Sequence, residues 1–201
     1  MEIVQDTARE RLLAAAHRQF AERGFYGASI AQIAGEVGLT KQALLYHFRR
    51  KEDLYREVLK GIAWRLLGAM RAGVDTGKPP EQQFEDMILR IYAAARANPL
   101  DSKVLMRELL EDQRSQAPAD EWFFKTYLDQ IVDMLNQIET LKPLTFAQKF
   151  AHLYSLLSAI EYFVASEATL VRFYGRDDFN RIADSYPDQL RAQVRQFLEP
   201  R

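Results

Sequence analysis

Apolar residues recur at helical spacing in most segments of the chain, and polar or glycine- and proline-containing breaks separate these segments. The first segment repeats apolar positions every four residues, which predicts a helix over residues 6–23 that Gly24 ends. Its repeating residues are Ala8, Leu12, Ala16 and Phe20. Later segments predict helices over residues 52–71, 80–97, 101–113, 119–140, 145–172 and 178–198, with Pro187 kinking the last helix or marking its start. No convincing strand pattern occurs, so the predicted fold is all-α.

Two short helices joined by a tight glycine turn are predicted between residues 28 and 51. Ser29 and Gln32 have the spacing of a capping box at the start of the first of them. Gly38 suits the positive φ of the turn, and Thr40 suits the N-cap of the second. The predicted buried positions of the pair are Ile30, Ile33, Ala34, Val37, Leu44 and Phe48.

The second short helix leaves polar and aromatic side chains on its outer face, which are Lys41, Gln42, Tyr46 and His47. A run of three basic residues, 49–51, follows it. Such side chains suit contacts with phosphates and base edges, so the pair is interpreted as a DNA-reading helix-turn-helix. The alternative is a small helical bundle with a solvated polar face.

Composition narrows the class of protein. The chain has 201 residues, no cysteine and a net charge of −1, which excludes disulfides, thiolate metal sites and a generally basic coat. Residues 1–51 nevertheless carry a net charge of +3, and the remainder carries −4. The positive charge is therefore concentrated around the predicted DNA-reading segment.

Targeting signals are not evident in the sequence. The N-terminal residues lack the basic flank and apolar core of a signal peptide. The most apolar long stretch, residues 145–175, is interrupted by Lys149, His152, Glu161 and Glu167, a charge density rare in membrane spans. We therefore expect a soluble cytoplasmic protein without a membrane partner.

Catalytic and metal-binding patterns are also not evident. His17, His47 and His152 are isolated from one another, and no nucleophile or phosphate-binding glycine motif occurs. We expect no enzyme activity, no cofactor and no metal. A helical protein-interaction module that does not bind DNA is a further alternative.

The stretch LLAAAHRQFAERGFYGASIAQIAGEVGLTKQALLYHFRRKEDLY resembles the DNA-binding domain of the TetR family of bacterial transcriptional regulators. The resemblance rests on F-x-x-x-G-[FY], S-I-x-x-I-A, V-G-L-T-K and Y-H-F-x-x-K-E-x-L, and covers the first quarter to third of the chain. It implies a helix-turn-helix domain over residues 1–51 and a helical ligand-binding and dimerisation domain over residues 52–201.

The resemblance also implies roles for residues of this segment. Ser29, Thr40 and Lys41 would lie against phosphates and the groove wall. Ala43 and Tyr46 would face the major groove, His47 would reach a phosphate, and Lys51 would bind a phosphate at the start of the next helix. The family often has Tyr where this chain has Leu45, and leucine cannot form the phosphate hydrogen bond that a tyrosine hydroxyl can. Specificity is therefore expected to rest on Gln42 and Tyr46. His47 as a partly buried packing residue is the alternative.

A single recognition helix reads only a short DNA sequence. Two DNA-binding domains spaced one turn of the DNA apart read a longer one, so we expect a dimer. The helix over residues 145–172 carries apolar residues on more than one face. The residues predicted for the dimer interface are Leu153, Leu156, Leu157, Ile160 and Val164. The alternative is a central helix buried within one subunit.

An effector pocket is expected between the middle helices, with an apolar and aromatic lining. Its candidate residues are Trp64, Phe84, Met87, Tyr92, Met106, Trp122, Phe123, Tyr127 and Tyr154. The resemblance thus predicts a homodimeric repressor that binds a palindromic operator and is released by a small molecule, with activation as the alternative. The sequence names neither the effector nor the operator.

Overall fold

A computed structural model describes residues 7–110 and 123–199. These residues form ten α-helices and one short 3-10 turn, and none of them lies in a β-strand, which confirms the all-α prediction. The helices are α1 (Ala8–Gly27), α2 (Ile30–Glu36), α3 (Lys41–His47), α4 (Lys51–Arg71), α5 (Pro80–Ala97), α6 (Pro99–Leu110), α7 (Phe123–Leu135), α8 (Phe146–Ala165), α9 (Glu167–Tyr174) and α10 (Arg176–Leu198).

Helix α1 begins at a capping box and bends near its end. The Thr7 hydroxyl accepts from the Glu10 backbone N–H at 3.3 Å, and the Glu10 carboxylate accepts from the Thr7 N–H at 2.7 Å. Gly24 has a φ of 70°, as the predicted helix end requires. One further turn follows, closed by the Ala28 N–H on the Gly24 carbonyl at 3.2 Å, so the helix reaches Gly27 rather than residue 23.

One buried core extends from α1 to α10 across the predicted domain boundary. Near that boundary, the Tyr55 ring of α4 packs edge-on against Phe20 and Phe25, with centroids 4.8 and 5.2 Å apart. Because the first turns of α4 pack on α1, the core has no break at residue 51. The division at that residue stays a prediction.

The helix predicted over residues 145–172 is two helices. Helix α8 ends at Ala165, and the next residue, Ser166, has a ψ of 1° and donates its hydroxyl to the Phe163 carbonyl at 3.1 Å. Helix α9 then begins at Glu167. A side chain that satisfies a carbonyl at a helix end competes with continuation of the helix.

Pro187 lies inside α10 and does not mark its start. Proline lacks an N–H, so the carbonyl four residues earlier, at Ala183, has no helical donor. The Tyr92 hydroxyl donates to this carbonyl at 2.9 Å. A distant side chain therefore satisfies the acceptor that Pro187 leaves open.

The middle helices differ from prediction at their ends. Helix α6 begins at Pro99, two residues earlier than predicted, since proline suits the first position of a helix. Helix α7 ends at Leu135 and a 3-10 turn covers Glu139–Leu141, where the sequence predicted one helix to residue 140. The predicted ends at residues 113 and 119 lie outside the described residues. Across the described ranges, no helix is both long enough and apolar enough to span a bilayer.

Candidate nucleic-acid interface

Helices α2 and α3 form a tight corner that anchors one face of α3 in the core. Gly38 adopts a φ of 71°, and the Leu39 N–H donates to the Ala34 carbonyl at 2.9 Å. Leu44 and Phe48 are 0% and 3% exposed. Since these apolar residues hold the inner face of α3, its other face is presented to solvent.

The two predicted helix caps have different outcomes. The Thr40 hydroxyl accepts from the Ala43 N–H at 3.1 Å, which confirms the predicted cap of α3. Ser29 makes no capping hydrogen bond, and Gln32 accepts from the Arg23 guanidinium at 2.8 Å instead. The predicted capping box is therefore wrong, because a charged donor on α1 takes the side chain that the box requires.

The outer face of α3 carries most of the residues predicted to bind DNA. Lys41, Gln42, Tyr46 and His47 are exposed, and Ala43 is half-buried. Tyr46 is the most open of the large apolar side chains described, at 86% exposure. The exposure of His47 disfavours its alternative interpretation as a buried packing residue. Contact of these side chains with DNA stays a prediction.

Lys51 is the first residue of α4, and its ammonium lies 4.6 Å from the centroid of the Phe25 ring. A cation–π contact of this kind positions the charge beside the N-terminus of the helix. Tyr26 packs edge-on against the same Phe25 ring at 5.4 Å and is 63% exposed. Sequence reasoning missed Tyr26 because it treated the residues after Gly24 as outside α1. Ser29, also predicted to bind DNA, is half-buried at the start of α2.

Acidic partners neutralise some of the basic residues of this region but not others. Arg18 pairs with Glu36 and Arg50 pairs with Asp53, each at 3.3 Å. The hydrogen bond from Arg50 holds the pKa of Asp53 below its usual value. Lys41, in contrast, forms no salt bridge within the described residues. Its charge is accordingly available for a phosphate.

Helix α6 joins the helix-turn-helix to the rest of the protein through Asp101. Arg65 of α4 donates twice to the Asp101 carboxylate, at 2.7 and 2.8 Å. His17 of α1 places its Nε2 atom 2.9 Å from Asp101 Oδ1, although not in the direction of a good hydrogen bond. Burial alone would raise the pKa of Asp101, but the contacts of His17 and Arg65 outweigh it and lower the pKa. The carboxylate is thus held ionised between three helices.

The other end of α6 also contacts the first helices. Arg107 donates to the carbonyls of Ala21 and Glu22 at 3.1 and 2.9 Å, just before the bend of α1 at Gly24. The Tyr55 hydroxyl of α4 donates to Glu108 at 2.6 Å. Sequence reasoning missed these contacts because they join residues 53 to 86 positions apart. Helix α6 therefore contacts α1 from both of its own ends, through Asp101 near the start of α6 and Arg107 near its end.

The residues predicted to line an effector pocket occupy different environments. Phe84, Met87, Tyr92 and Tyr127 are buried, and Met106 is half-buried. Trp122 and the side chain of Phe123 lie outside the described residues. The structure does not bring the whole set together, because two other members point to solvent. These are Trp64 and Tyr154, at 62% and 42% exposure.

Tyr92 and Tyr127 differ in what their hydroxyls contact. The Tyr92 hydroxyl is bonded to Ala183, and its ring stacks on Tyr186 at 5.4 Å, so Tyr92 is a packing residue. The Tyr127 hydroxyl is buried and has no hydrogen-bond partner among the described residues. A separate open cleft of about 280 Å³ lies between α4, α5 and α7, and Met70, Met87 and Met134 line it. Of the predicted pocket residues, this cleft contains only Met87.

The five residues predicted for a dimer interface lie in the core of the protomer. Their exposures run from 0% to 5% for Leu153, Leu156, Leu157, Ile160 and Val164. This burial corrects the assignment, because a side chain already covered within the protomer has no surface left for a partner. The outer face of α8 carries other residues, including Ala151, Ser155 and Tyr162.

Comparison with protein families matches residues 12–58 to the family described as bacterial regulatory proteins, tetR family. The transcriptional repressor KstR2 of Rhodococcus jostii is 29% identical over 123 residues, which are 61% of this chain and 57% of the relative. The transcriptional activator FasR of Mycolicibacterium smegmatis is 35% identical over 80 residues, 40% of this chain and 36% of the relative. The matched part of the chain therefore spans 57% of the length of one of these curated relatives and 36% of the other.

Structural comparison extends the likeness to nearly the whole chain. A TetR-like transcriptional regulator from Rhodococcus sp. RHA1 superposes with a TM-score of 0.71 and 18% sequence identity. The match covers 98% of each chain. At this identity the likeness concerns the fold alone, which is shared from the helix-turn-helix through the C-terminal helices.

Proposed function

This chain belongs to the TetR family of bacterial transcriptional regulators, and from that premise we propose that it is a homodimeric repressor released from a palindromic operator by a small molecule. The observation that carries the proposal is the outer face of α3, where Lys41, Gln42, Tyr46 and His47 stand exposed on a helix anchored by Leu44. A short capped helix with this outer face suits insertion into the major groove.

Contacts with phosphates and contacts with bases would have different roles in DNA binding. Lys41 and Lys51 would bind phosphates, which supply affinity but no sequence information. Gln42 and Tyr46 would contact base edges and supply specificity. The proposed role of Lys51 is supported by its position at the start of α4, where the backbone N–H groups of the helix also attract an anion.

The proposed dimer surface is formed by the exposed sides of α8 and α10. The two helices are joined by the Tyr186 hydroxyl, which donates to the Ala159 carbonyl at 2.9 Å, and by the His152 and Phe197 rings, which stack at 4.4 Å. We define the α8–α10 face as Ala151, Ser155, Tyr162, Ile182, Ser185 and Ala192, all exposed. Its small residues would let two copies of each helix approach closely, in the four-helix arrangement that the family resemblance implies.

Release by an effector requires that the effector change the position of the DNA-binding head. Helix α6 is suited to this role, since Asp101 and Arg107 hold α1 while α6 also packs on α8. An effector would shift the equilibrium only if it bound one position of α6 more tightly than the other. Activation instead of repression is the second candidate, because the relative FasR is an activator.

DNA retardation with segments flanking the chain's own gene tests the proposal. Tyr46→Ala should lower the affinity for the operator by about 1–3 kcal/mol, or roughly 5- to 150-fold, and leave the dimer intact. Lys51→Met, which keeps the aliphatic stem over Phe25, should weaken binding to all sequences. It should also reduce the dependence of log K on log salt by about 1 per protomer.

Lys125→Ala is the matched control, because Lys125 is an exposed lysine of α7 paired with Asp129 at 2.5 Å. It should leave both operator affinity and the salt slope unchanged. An unchanged slope for Lys51→Met would remove Lys51 from the phosphate contacts. The absence of retardation on every palindromic segment tested would refute the proposed function.

A further inference from the structure

Three polar side chains from three helices each place an oxygen atom in the protein interior that has no hydrogen-bond partner of good geometry within the described residues. They are Ser102 of α6, Tyr127 of α7 and Glu161 of α8, and we call them the buried polar cluster. Ser102 and Tyr127 are 0% and 2% exposed. Glu161 is half-buried as a residue, but its Oε2 atom is shielded from solvent. Buried polar groups are normally paired, so an unpaired set needs an explanation.

Among the residues that the structure describes, no cation pairs with Glu161. Burial raises the pKa of Glu161, and the negative charge of Asp101 adds to this rise. The Ser102 hydroxyl lies close enough to oppose the rise, although its direction is not that of a good hydrogen bond. The pKa of Tyr127 is raised as well, by burial and by Glu161. Arg65, which contacts the residue before Ser102 on α6, directs both of its hydrogen bonds to Asp101. A positive charge beside Glu161 would therefore meet an acid and two hydroxyl oxygens.

We propose that the buried polar cluster is the polar anchor of the effector site, and that the effector carries a protonated nitrogen on an apolar body. The inference rests on the proposed effector response and specifies its ligand. The ammonium or amidinium group would donate to the Glu161 carboxylate and to the two hydroxyl oxygens. The apolar body would suit the surrounding interior, where the same three helices bury Leu105, Ile131 and Ile160.

The position of Ser102 connects this site to the DNA-binding head. Asp101 precedes it directly on α6 and contacts His17 of α1 and Arg65 of α4. A ligand that draws Ser102 toward α8 would displace the carboxylate that holds α1. The site thus joins ligand binding to the contacts that position the helix-turn-helix.

Three probes with the same apolar body test the ligand class by calorimetry on the full chain without DNA. They are 2-phenylethylamine, 2-phenylethanol and 3-phenylpropanoate, whose polar ends are a cation, a neutral hydroxyl and an anion. The amine should bind with a Kd on the order of 1 mM, at least about tenfold tighter than the other two. At a pH low enough for Glu161 to be partly protonated in the free protein, amine binding should release protons, because the ammonium favours the ionised form of Glu161. The release is seen as a dependence of the measured heat on the buffer.

Glu161→Gln should weaken amine binding at least about tenfold and abolish proton release. Glu139→Gln, which removes one exposed carboxylate, should change neither. Tyr127→Phe is the second variant, since it removes only the unpaired hydroxyl; it should retain the fold and still bind the amine more weakly. The inference is overturned if the alcohol or the acid binds best, if Glu161→Gln binds the amine as the wild type does, or if no probe binds.

Operator retardation with and without the amine separates this inference from the proposed function. The amine should weaken operator binding by the wild type and not by Glu161→Gln. Intact operator binding without amine binding would refute the ligand site and leave the repressor function standing. Amine binding without any operator binding would refute the repressor function instead. Amine binding that leaves operator affinity unchanged would overturn the effector role of the cluster.

Discussion

Asp101→Asn removes one negative charge at the junction of α1, α4 and α6 while keeping the size of the side chain. The Asp101 side chain is 8% exposed and accepts two hydrogen bonds from Arg65. Asparagine can accept only one of them through its oxygen and presents an amide group to the other donor. The Arg65 guanidinium loses its ionic partner, and His17 loses its contact with a carboxylate.

The size of the effect follows from the exposure of the two charges. Breaking a fully buried ion pair costs about 3–5 kcal/mol, and an exposed pair is worth about 0–1 kcal/mol. The Arg65 side chain is 44% exposed and can regain water once its partner is neutral. We therefore expect a loss of about 1–3 kcal/mol in the free energy of unfolding. For a chain of this length, that corresponds to a fall in Tm of roughly 2–12 °C.

Thermal unfolding followed by circular dichroism between pH 3 and 7 measures both the loss and its origin. The pKa of Asp101 is lowered in the folded protein, so as the pH falls the unfolded chain takes up this proton first. The stabilisation is fully present above the unfolded pKa of about 3.9 and is lost as the pH falls through the lower folded pKa. The difference in Tm between wild type and variant should thus be constant from pH 5 to 7 and shrink below about pH 4.

Asp188→Asn is the matched control, because Asp188 also pairs with an arginine, Arg191, at 2.7 Å but is 79% exposed. It should change the free energy of unfolding by less than about 0.5 kcal/mol. Equal losses for the two substitutions would show that the Asp101 contacts add nothing beyond a surface pair. A difference in Tm that persists unchanged at pH 3 would refute the electrostatic origin.

Two further predictions concern the corner and the dimer. Gly38→Ala should destabilise the protein by about 1–2 kcal/mol because φ is 71°, and Gly35→Ala should stabilise it by about 0.5–1 kcal/mol because that position is helical. Neither new methyl group meets another atom within 4 Å, so equal effects in chemical denaturation would contradict the backbone argument. Tyr162→Asp should convert the dimer to monomers in sedimentation velocity, since it buries a charge in the α8–α10 face. Tyr174→Asp is the control, because Tyr174 lies on α9 and is 59% exposed, and it should leave the dimer intact. Dimers that survive Tyr162→Asp would exclude the α8–α10 face.

Local signals determined the helix-turn-helix. Thr40 caps α3, Gly38 makes the turn, and Leu44 and Phe48 are buried as their spacing predicted. Each of these features depends on residues within a few positions, so the physical causes lie within one stretch of sequence. The Ser29 cap failed for the opposite reason, because its partner bonds to a residue of the preceding helix.

Tertiary packing decided which residues of the later helices lie in the core. Helix α8 is apolar around most of its circumference, so periodicity could not tell which side faces the core and which side is open to a partner. Its sequence shows Glu161 among apolar residues but not that Ser102 and Tyr127 lie near it. The link from Asp101 to Arg65 likewise joins positions 36 residues apart.

The sequence by itself therefore determined the all-α class, the family and the outer face of α3. Only the tertiary structure decided that Leu153 and Val164 are core residues and that α6 holds α1 through Asp101 and Arg107. The physical reason is the range of the interactions. Caps, turns and helical periodicity depend on residues within one or two helical turns of each other in the sequence. Ion pairs and core contacts depend instead on which distant helices pack together.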